Sequence, residues 1–145
     1  MAQQKVEEKR FASGEYLFRE NAECSALFII KSGHIEISRV QKNGDRIPIG
    51  LVGPGEFLGE SALLMSQRHS ADAMAIDDVV ATVLSAESMN EQINSAPTWL
   101  VALTRGLVTK LKHANQILQR NGIVDENLAT QIMHLHEKAE KSKKS

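Results

Sequence analysis

A single cysteine, Cys24, rules out an internal disulfide. Its neighbours Glu20 and Glu23 are the wrong sign to activate a thiolate, so Cys24 reads as a small buried hydrophobe just ahead of an apolar run. Charge of one sign is also lacking. The formal net charge is −1, without the basic excess of a nucleic-acid-binding surface. Only the C-terminal KAEKSKKS is basic. It reads as a solvated tail, short of an electrostatic membrane anchor. No apolar run approaches the ~20 residues of a membrane span, and the N-terminal MAQQKVEEKR has no apolar core of a signal peptide. These absences make a reducing cytoplasm the default expectation.

What is present is an ordinary soluble composition: 145 residues, 42% hydrophobic and 24% charged, enough chain to bury one core. From Phe11 to about Ser85, short apolar runs recur between Gly, Asn, Asp and Pro. Ile35 and Ile37 alternate with polar neighbours, as do Ile47, Ile49 and Leu51, the period of a half-buried strand. Asn43-Gly44 between two such runs predicts a tight hairpin turn. Pro48 cannot donate to a ladder, which places its strand at an edge or a bulge. Many short strands with glycine-rich turns predict a sandwich or barrel.

Beyond Ser85 the pattern becomes helical. Ser85 is a candidate N-cap, and Ser88 and Glu91 have capping-box spacing. Pro97 opens a long helix. In it Leu100, Leu107 and Ala114 recur every seven residues, as do Leu111 and Leu118, a seam suited to a homodimer. Asn121-Gly122 ends it. Asp125 caps a further helix with an apolar stripe of Leu128, Ile132, Leu135 and Ala139, expected to form part of a surface read by a signalling protein. The predicted organisation is an arm or short helix over 1–10, the β domain with the start of its helical segment over 11–96, the long helix over 97–120, the amphipathic helix over 121–137 and a disordered basic tail over 138–145.

The stretch Gly59 to Ala75, GESALLMSQRHSADAMA, carries the chemistry. SALL reads as one turn of helix whose free N–H groups suit an anion. Glu60 has the wrong charge for a phosphate but suits a sugar hydroxyl. Arg68 and His69 offer donors. Ala71, Ala73 and Ala75 fall on one face of the next strand, where small side chains either leave room for a ligand or allow tight packing.

These segments resemble the cyclic nucleotide-binding domain family. FASGEYLFRENAECSALFIIKSGHIEI is similar to its first strands, LVGPGEFLGESALL to the approach to its phosphate-binding cassette, and HSADAMA to the end of that cassette. The likeness runs from about Phe11 to Leu118. It implies a mainly β fold, a jelly-roll (cupin-like) β-barrel followed by C-terminal α-helices, and a ligand, cAMP or cGMP. It also implies that Glu60 binds the ribose 2′-hydroxyl beside Gly59, and that the N–H groups of Ser61, Ala62, Ser70 and Ala71 face the cyclic phosphate. In the family an arginine pairs with that phosphate. Here His69 occupies its place and Arg68 falls where proline is usual. A neutral histidine lacks the charge and the forked donors of arginine.

No cluster of histidines and carboxylates reads as a metal site, and no nucleophile–base pair reads as an enzyme. Family regulators carry a DNA-binding helix-turn-helix, and too few residues follow Leu118 for one, so the expected output is protein–protein. The sequence therefore supports a sensor of a cyclic nucleotide acting through its C-terminal helices. Its rival is an interaction scaffold with a degenerate pocket.

Overall fold

In a computed structural model, which describes residues 6–120 and 126–143, eight strands and four helices follow in order. They are β1 (Val6–Phe11), β2 (Tyr16–Phe18), β3 (Ala26–Ser32), β4 (Ile35–Val40), β5 (Arg46–Val52), β6 (Phe57–Leu58), α1 (Glu60–Met65), β7 (Asp72–Ala75), β8 (Val79–Ser85), α2 (Ala86–Ser95), α3 (Thr98–Arg120) and α4 (Glu126–Lys143). The strands form two four-stranded sheets, ordered β1-β8-β3-β6 and β2-β7-β4-β5, and every pairing is antiparallel. This is the two-sheet arrangement of a jelly roll.

The core lies between the sheets. Phe28, Ile30, Ile35, Leu58, Ala73, Ala75, Val79, Ala81 and Val83 are buried there, with Phe11, Leu17, Phe18, Ile37 and Val52 packed around them. Phe11 meets Phe28 edge-on at 6.1 Å between centroids, a favoured aromatic geometry. Ala73 and Ala75 are fully buried in this core. Their small size serves close packing between the sheets.

Several elements differ from the sequence reading for identifiable reasons. Val6–Phe11 is a strand, not an arm or a helix. Its propensity is overridden by β8, whose open edge it pairs along its whole length. The β4–β5 turn uses positive φ at Gly44 and not at Asn43. Gly44 N–H donates to Gln41 O, and Gln41 N–H to Asp45 O, so the loop is longer than a two-residue primed turn. Pro48 meets both expectations. It lies on an edge strand and opposite a bulge between Ile37 and Ser38.

Ser85 caps α2, its Oγ accepting from Ser88 N–H. The carbonyl of Pro97 accepts the first bonds of α3 from Leu100 and Val101. The expected Asn121-Gly122 stop and Asp125 cap lie outside the described residues. Helix α4 runs to Lys143, so most of the expected disordered tail is helical. Its stripe is used internally. Helix α4 packs on β5, with Ile132 buried and His136 Nε2 3.5 Å from Glu36 Oε2. Leu51 pairs with Glu36 and so shares the face that α4 covers. Ile132 of the stripe is buried in this contact, with Leu128 and Leu135 half-buried beside it. No described helix is long and apolar enough to cross a membrane.

Candidate functional site

The sequence VGPGEFLGES turns sharply into α1, and Gly59 is the pivot. Its φ is +92°, and a Cβ there would lie 2.9 Å from the carbonyl oxygen of Ala26. Only glycine takes that conformation without strain and allows the close approach of β3. Helix α1 then starts at Glu60, with no side-chain cap. Its first N–H groups, including those of Ser61 and Ala62, have no intrahelical acceptor. The helix stops after six residues at Ser66, which adopts the left-handed conformation.

Glu60 is half-buried. Burial raises its carboxyl above the usual range, which its own N–H and the more distant Lys112 partly offset. Among the described residues no other side chain forms an ion pair or hydrogen bond with it. Ser61 Oγ is buried and has no hydrogen-bond partner among the described residues. Ser61 Oγ therefore lacks a donor, and the Glu60 carboxylate has only its own N–H. Cys24 lies behind this turn, half-buried rather than fully enclosed, its Sγ 3.7 Å from Ala26 O and 3.9 Å from Gly59 O. Burial pushes its thiol up.

His69 approaches Gly59 from the far end of the cassette, its ring carbon 3.7 Å from where a Cβ on Gly59 would stand. Its main chain is fixed by reciprocal bonds, Asn21 N–H to His69 O and His69 N–H to Ala22 O. Its ring stacks flat on Phe18, 3.7 Å between centroids and 7° between planes, and only 4% of the residue is exposed. Burial pushes the imidazole pKa down, so the ring is neutral at pH 7. This differs from the expectation of a donor facing a phosphate. An aromatic partner on β2 has drawn His69 into an apolar contact. The signal in the sequence was indirect: Phe18 is far from His69 along the chain.

Arg68 does not replace the missing charge. Its Nη1 donates to Asn21 O at 3.0 Å, and Nη2 is 3.5 Å from Glu23 Oε1. It lines a cleft of about 290 Å³ with Cys24, Leu63, Gln67, Ala86 and Asn90, apart from Glu60. Ser70 is exposed and gives its carbonyl to Arg39 Nε at 3.0 Å. Ala71 is buried. The fold thus brings Gly59, Glu60, Ser61, Ala62 and His69 into one neighbourhood, and turns Arg68 outward.

Helix α3 closes over the cassette with polar contacts. Arg105 Nε donates to Leu64 O at 2.8 Å, Lys112 Nζ to Gln67 Oε1 at 3.0 Å, and Thr109 Oγ1 lies 3.9 Å from Met65 Sδ. Arg105 satisfies a carbonyl near the C-terminal end of α1, where a cation is favoured. The seam residues are on other faces. Leu100, Leu107, Leu111, Ala114 and Leu118 are all exposed, Leu111 to 63%.

One functional-looking cluster was missed in the sequence. Asp72, between the core alanines, points to the opposite face of its sheet. Its Oδ1 accepts from Glu20 N–H at 2.7 Å and Arg19 Nε at 3.2 Å, and its Oδ2 from Arg46 Nη1 at 2.9 Å. Arg46 also donates to the buried Ser38 Oγ, and Arg19 stacks 3.9 Å over Tyr16. Burial alone would raise the Asp72 carboxyl, but the Glu20 N–H and the two guanidiniums hold it below the usual range. An aspartate in the otherwise small, apolar run ADAMA was the available signal.

Comparison with known proteins agrees with this geometry. The cyclic nucleotide-binding domain model matches residues 8–96. The cyclic AMP receptor protein of Thermus thermophilus is 29% identical over 105 residues, covering 72% of this chain and 49% of its own. The chain therefore spans about half the length of that relative. The cAMP-bound form of the EAL enzyme Bd1971 superposes with a TM-score of 0.67 at 27% identity, over 81% of this chain and 32% of that one. The regulatory subunit of a cAMP-independent protein kinase A from Trypanosoma brucei gives 0.54 at 26% identity, over 56% and 30%.

Proposed function

The chain belongs to the cyclic nucleotide-binding domain family, and from that premise we propose that it is a cytoplasmic regulatory domain that binds a ligand of the cyclic-nucleotide class, cAMP foremost, through its ribose. It acts by binding and not by catalysis. The observation that carries this reading is Glu60. A half-buried carboxylate with no donor from another side chain is disfavoured in the free protein, and a ribose hydroxyl supplies the missing donor. The free N–H groups of α1 complete the polar surface there, with Ser70 and Ala71 at its far end.

Occupancy is reported by α3. Its Arg105 and Lys112 hold the cassette at Leu64 and Gln67, so a ligand that shifts α1 also biases α3. The apolar seam of Leu100, Leu107, Leu111, Ala114 and Leu118 supports a parallel homodimer, because a monomer rarely exposes so continuous a stripe. A partner protein then reads the arrangement of the paired helices.

Without arginine the expected affinity for cAMP or cGMP is ~10–100-fold weaker than in arginine-containing members, since about 1.5–3 kcal/mol of charge-assisted bonding is missing. Isothermal titration calorimetry of the full chain tests the reading. Weak binding that disappears in Glu60→Ala supports it. A second reading, a scaffold that has lost its ligand, is favoured by the stacking of His69 on Phe18. Silence toward cyclic nucleotides and nucleosides alike, in wild type and in His69→Arg, would establish that scaffold instead.

A further inference from the structure

Members of this family with nearly the same identity to the chain include a cAMP-bound form and a cAMP-independent one, so the ligand class must come from the side chains. The cassette has an acceptor for a sugar and no cation for a phosphate. Each positive group around it is committed elsewhere. Arg68 is held by Asn21 O and lies near Glu23. Arg39 donates to Ser70 O, and Arg105 to Leu64 O. Arg19 and Arg46 face the other side of the sheet, on Asp72. Lys112 donates to Gln67 Oε1, and its charge acts on the Glu60 carboxylate. Glu60 and Lys112 together bring no net charge. His69, in the arginine's place, is buried against Phe18, and its ring makes no hydrogen bond among the described residues. A cyclic phosphate here would surrender its hydration and meet a carboxylate, with no guanidinium in return.

We propose that this cassette selects an uncharged nucleoside, a base on a ribose with a free 2′-hydroxyl, over the corresponding cyclic nucleotide. The proposal rests on the reading of Glu60 as a ribose anchor. His69 stacks on Phe18 and brings no cation to the site. A phosphate finds the free N–H groups at the start of α1 but no guanidinium, so its removal costs little affinity.

The test is calorimetric titration of the full chain with adenosine, guanosine, cAMP, cGMP and 2′-deoxyadenosine. For at least one base the nucleoside should bind as tightly as its cyclic nucleotide or up to about tenfold more tightly, with little change as salt rises, because no ion pair is screened. Losing the 2′-hydroxyl should weaken adenosine by about tenfold or more, the loss expected for a hydrogen bond to a charged group. His69→Arg should reverse the order, favouring the cyclic nucleotide by about 10–100-fold. A wild-type preference of tenfold or more for cAMP or cGMP overturns the proposal and leaves the ribose-anchored sensor standing. So does a wild type that binds nothing while His69→Arg binds only cyclic nucleotides. Failure of every ligand with both proteins overturns the sensor reading as well. Should His69→Arg fail to fold, the deoxynucleoside decides alone: equal affinity for adenosine and 2′-deoxyadenosine overturns the proposal.

Discussion

Replacing Asp72 with asparagine preserves the volume of the side chain and removes its charge. The carboxylate takes three hydrogen bonds, from Glu20 N–H, Arg19 Nε and Arg46 Nη1, and only 4% of the side chain is exposed. An amide keeps one acceptor oxygen. Its NH₂ must then face either a guanidinium or a backbone N–H, donor against donor. Breaking a buried ion pair costs about 3–5 kcal/mol. Here the arginine side chains are 57% and 36% exposed, so water takes over part of what they lose. The expected loss is therefore about 2–3 kcal/mol, or roughly 6–12 °C in midpoint for a chain of this size. Thermal and urea unfolding at pH 7 measure it. The pH dependence adds a second check. The folded-state pKa of Asp72 is depressed, so its stabilisation is complete above the unfolded value of about 3.9 and fades as pH falls through the lower folded value. The gap between wild type and Asp72→Asn should narrow below about pH 4. A gap under about 0.5 kcal/mol at pH 7, the size of an ordinary surface change, would refute this reasoning, as would a gap that stays constant into acid.

Three further outcomes follow from the same geometry. Gly59→Ala should destabilise by about 1–3 kcal/mol, from positive φ and a clash with Ala26 O; urea unfolding at wild-type stability would contradict it. Glu60→Gln should raise the melting temperature of the free protein at pH 7 by a few degrees while weakening ligand binding, because a folded pKa raised by burial means the charged form opposes folding as pH rises. An unchanged or lower midpoint would show that Glu60 is well solvated or already satisfied. Leu111→Glu should give a folded monomer in sedimentation, since a charge in a coiled-coil seam opposes pairing; a wild type that is itself monomeric at high concentration would remove the basis for the dimer.

The alternation of Ile35 and Ile37 is a local fact and was legible in the sequence. The place of Glu60 beside the α1 turn was legible locally, while its tie to a ribose is what the resemblance implies. The fate of His69 was not, because Phe18 belongs to another strand and only the folded register brings the rings together. Asp72 depended on Arg19, just after β2, and Arg46 on β5. Strand β1 was missed because its residues carry no period of their own and take their conformation from β8. The two C-terminal helices had similar apolar stripes, yet α4 covers β5 while the seam of α3 stays exposed. Which stripe docks depends on the fit to β5 in the folded chain, and no pattern within either helix encodes it.

Strand β1 also sets what can be cut from this molecule. Its exposed residues Val6 to Arg10 place four charges, Glu7, Glu8, Lys9 and Arg10, along the free margin of a sheet, and charge on such a margin keeps other chains from adding to it. Behind it lies VVATVLS, seven uncharged residues rich in β-branched side chains. A shortened version beginning after Phe11 would leave that strand's backbone groups open on one side, a template for stacking. Loss of such a product to precipitate, with the two sheets otherwise able to fold, is the expected result, so any purification tag belongs ahead of β1 and not in its place.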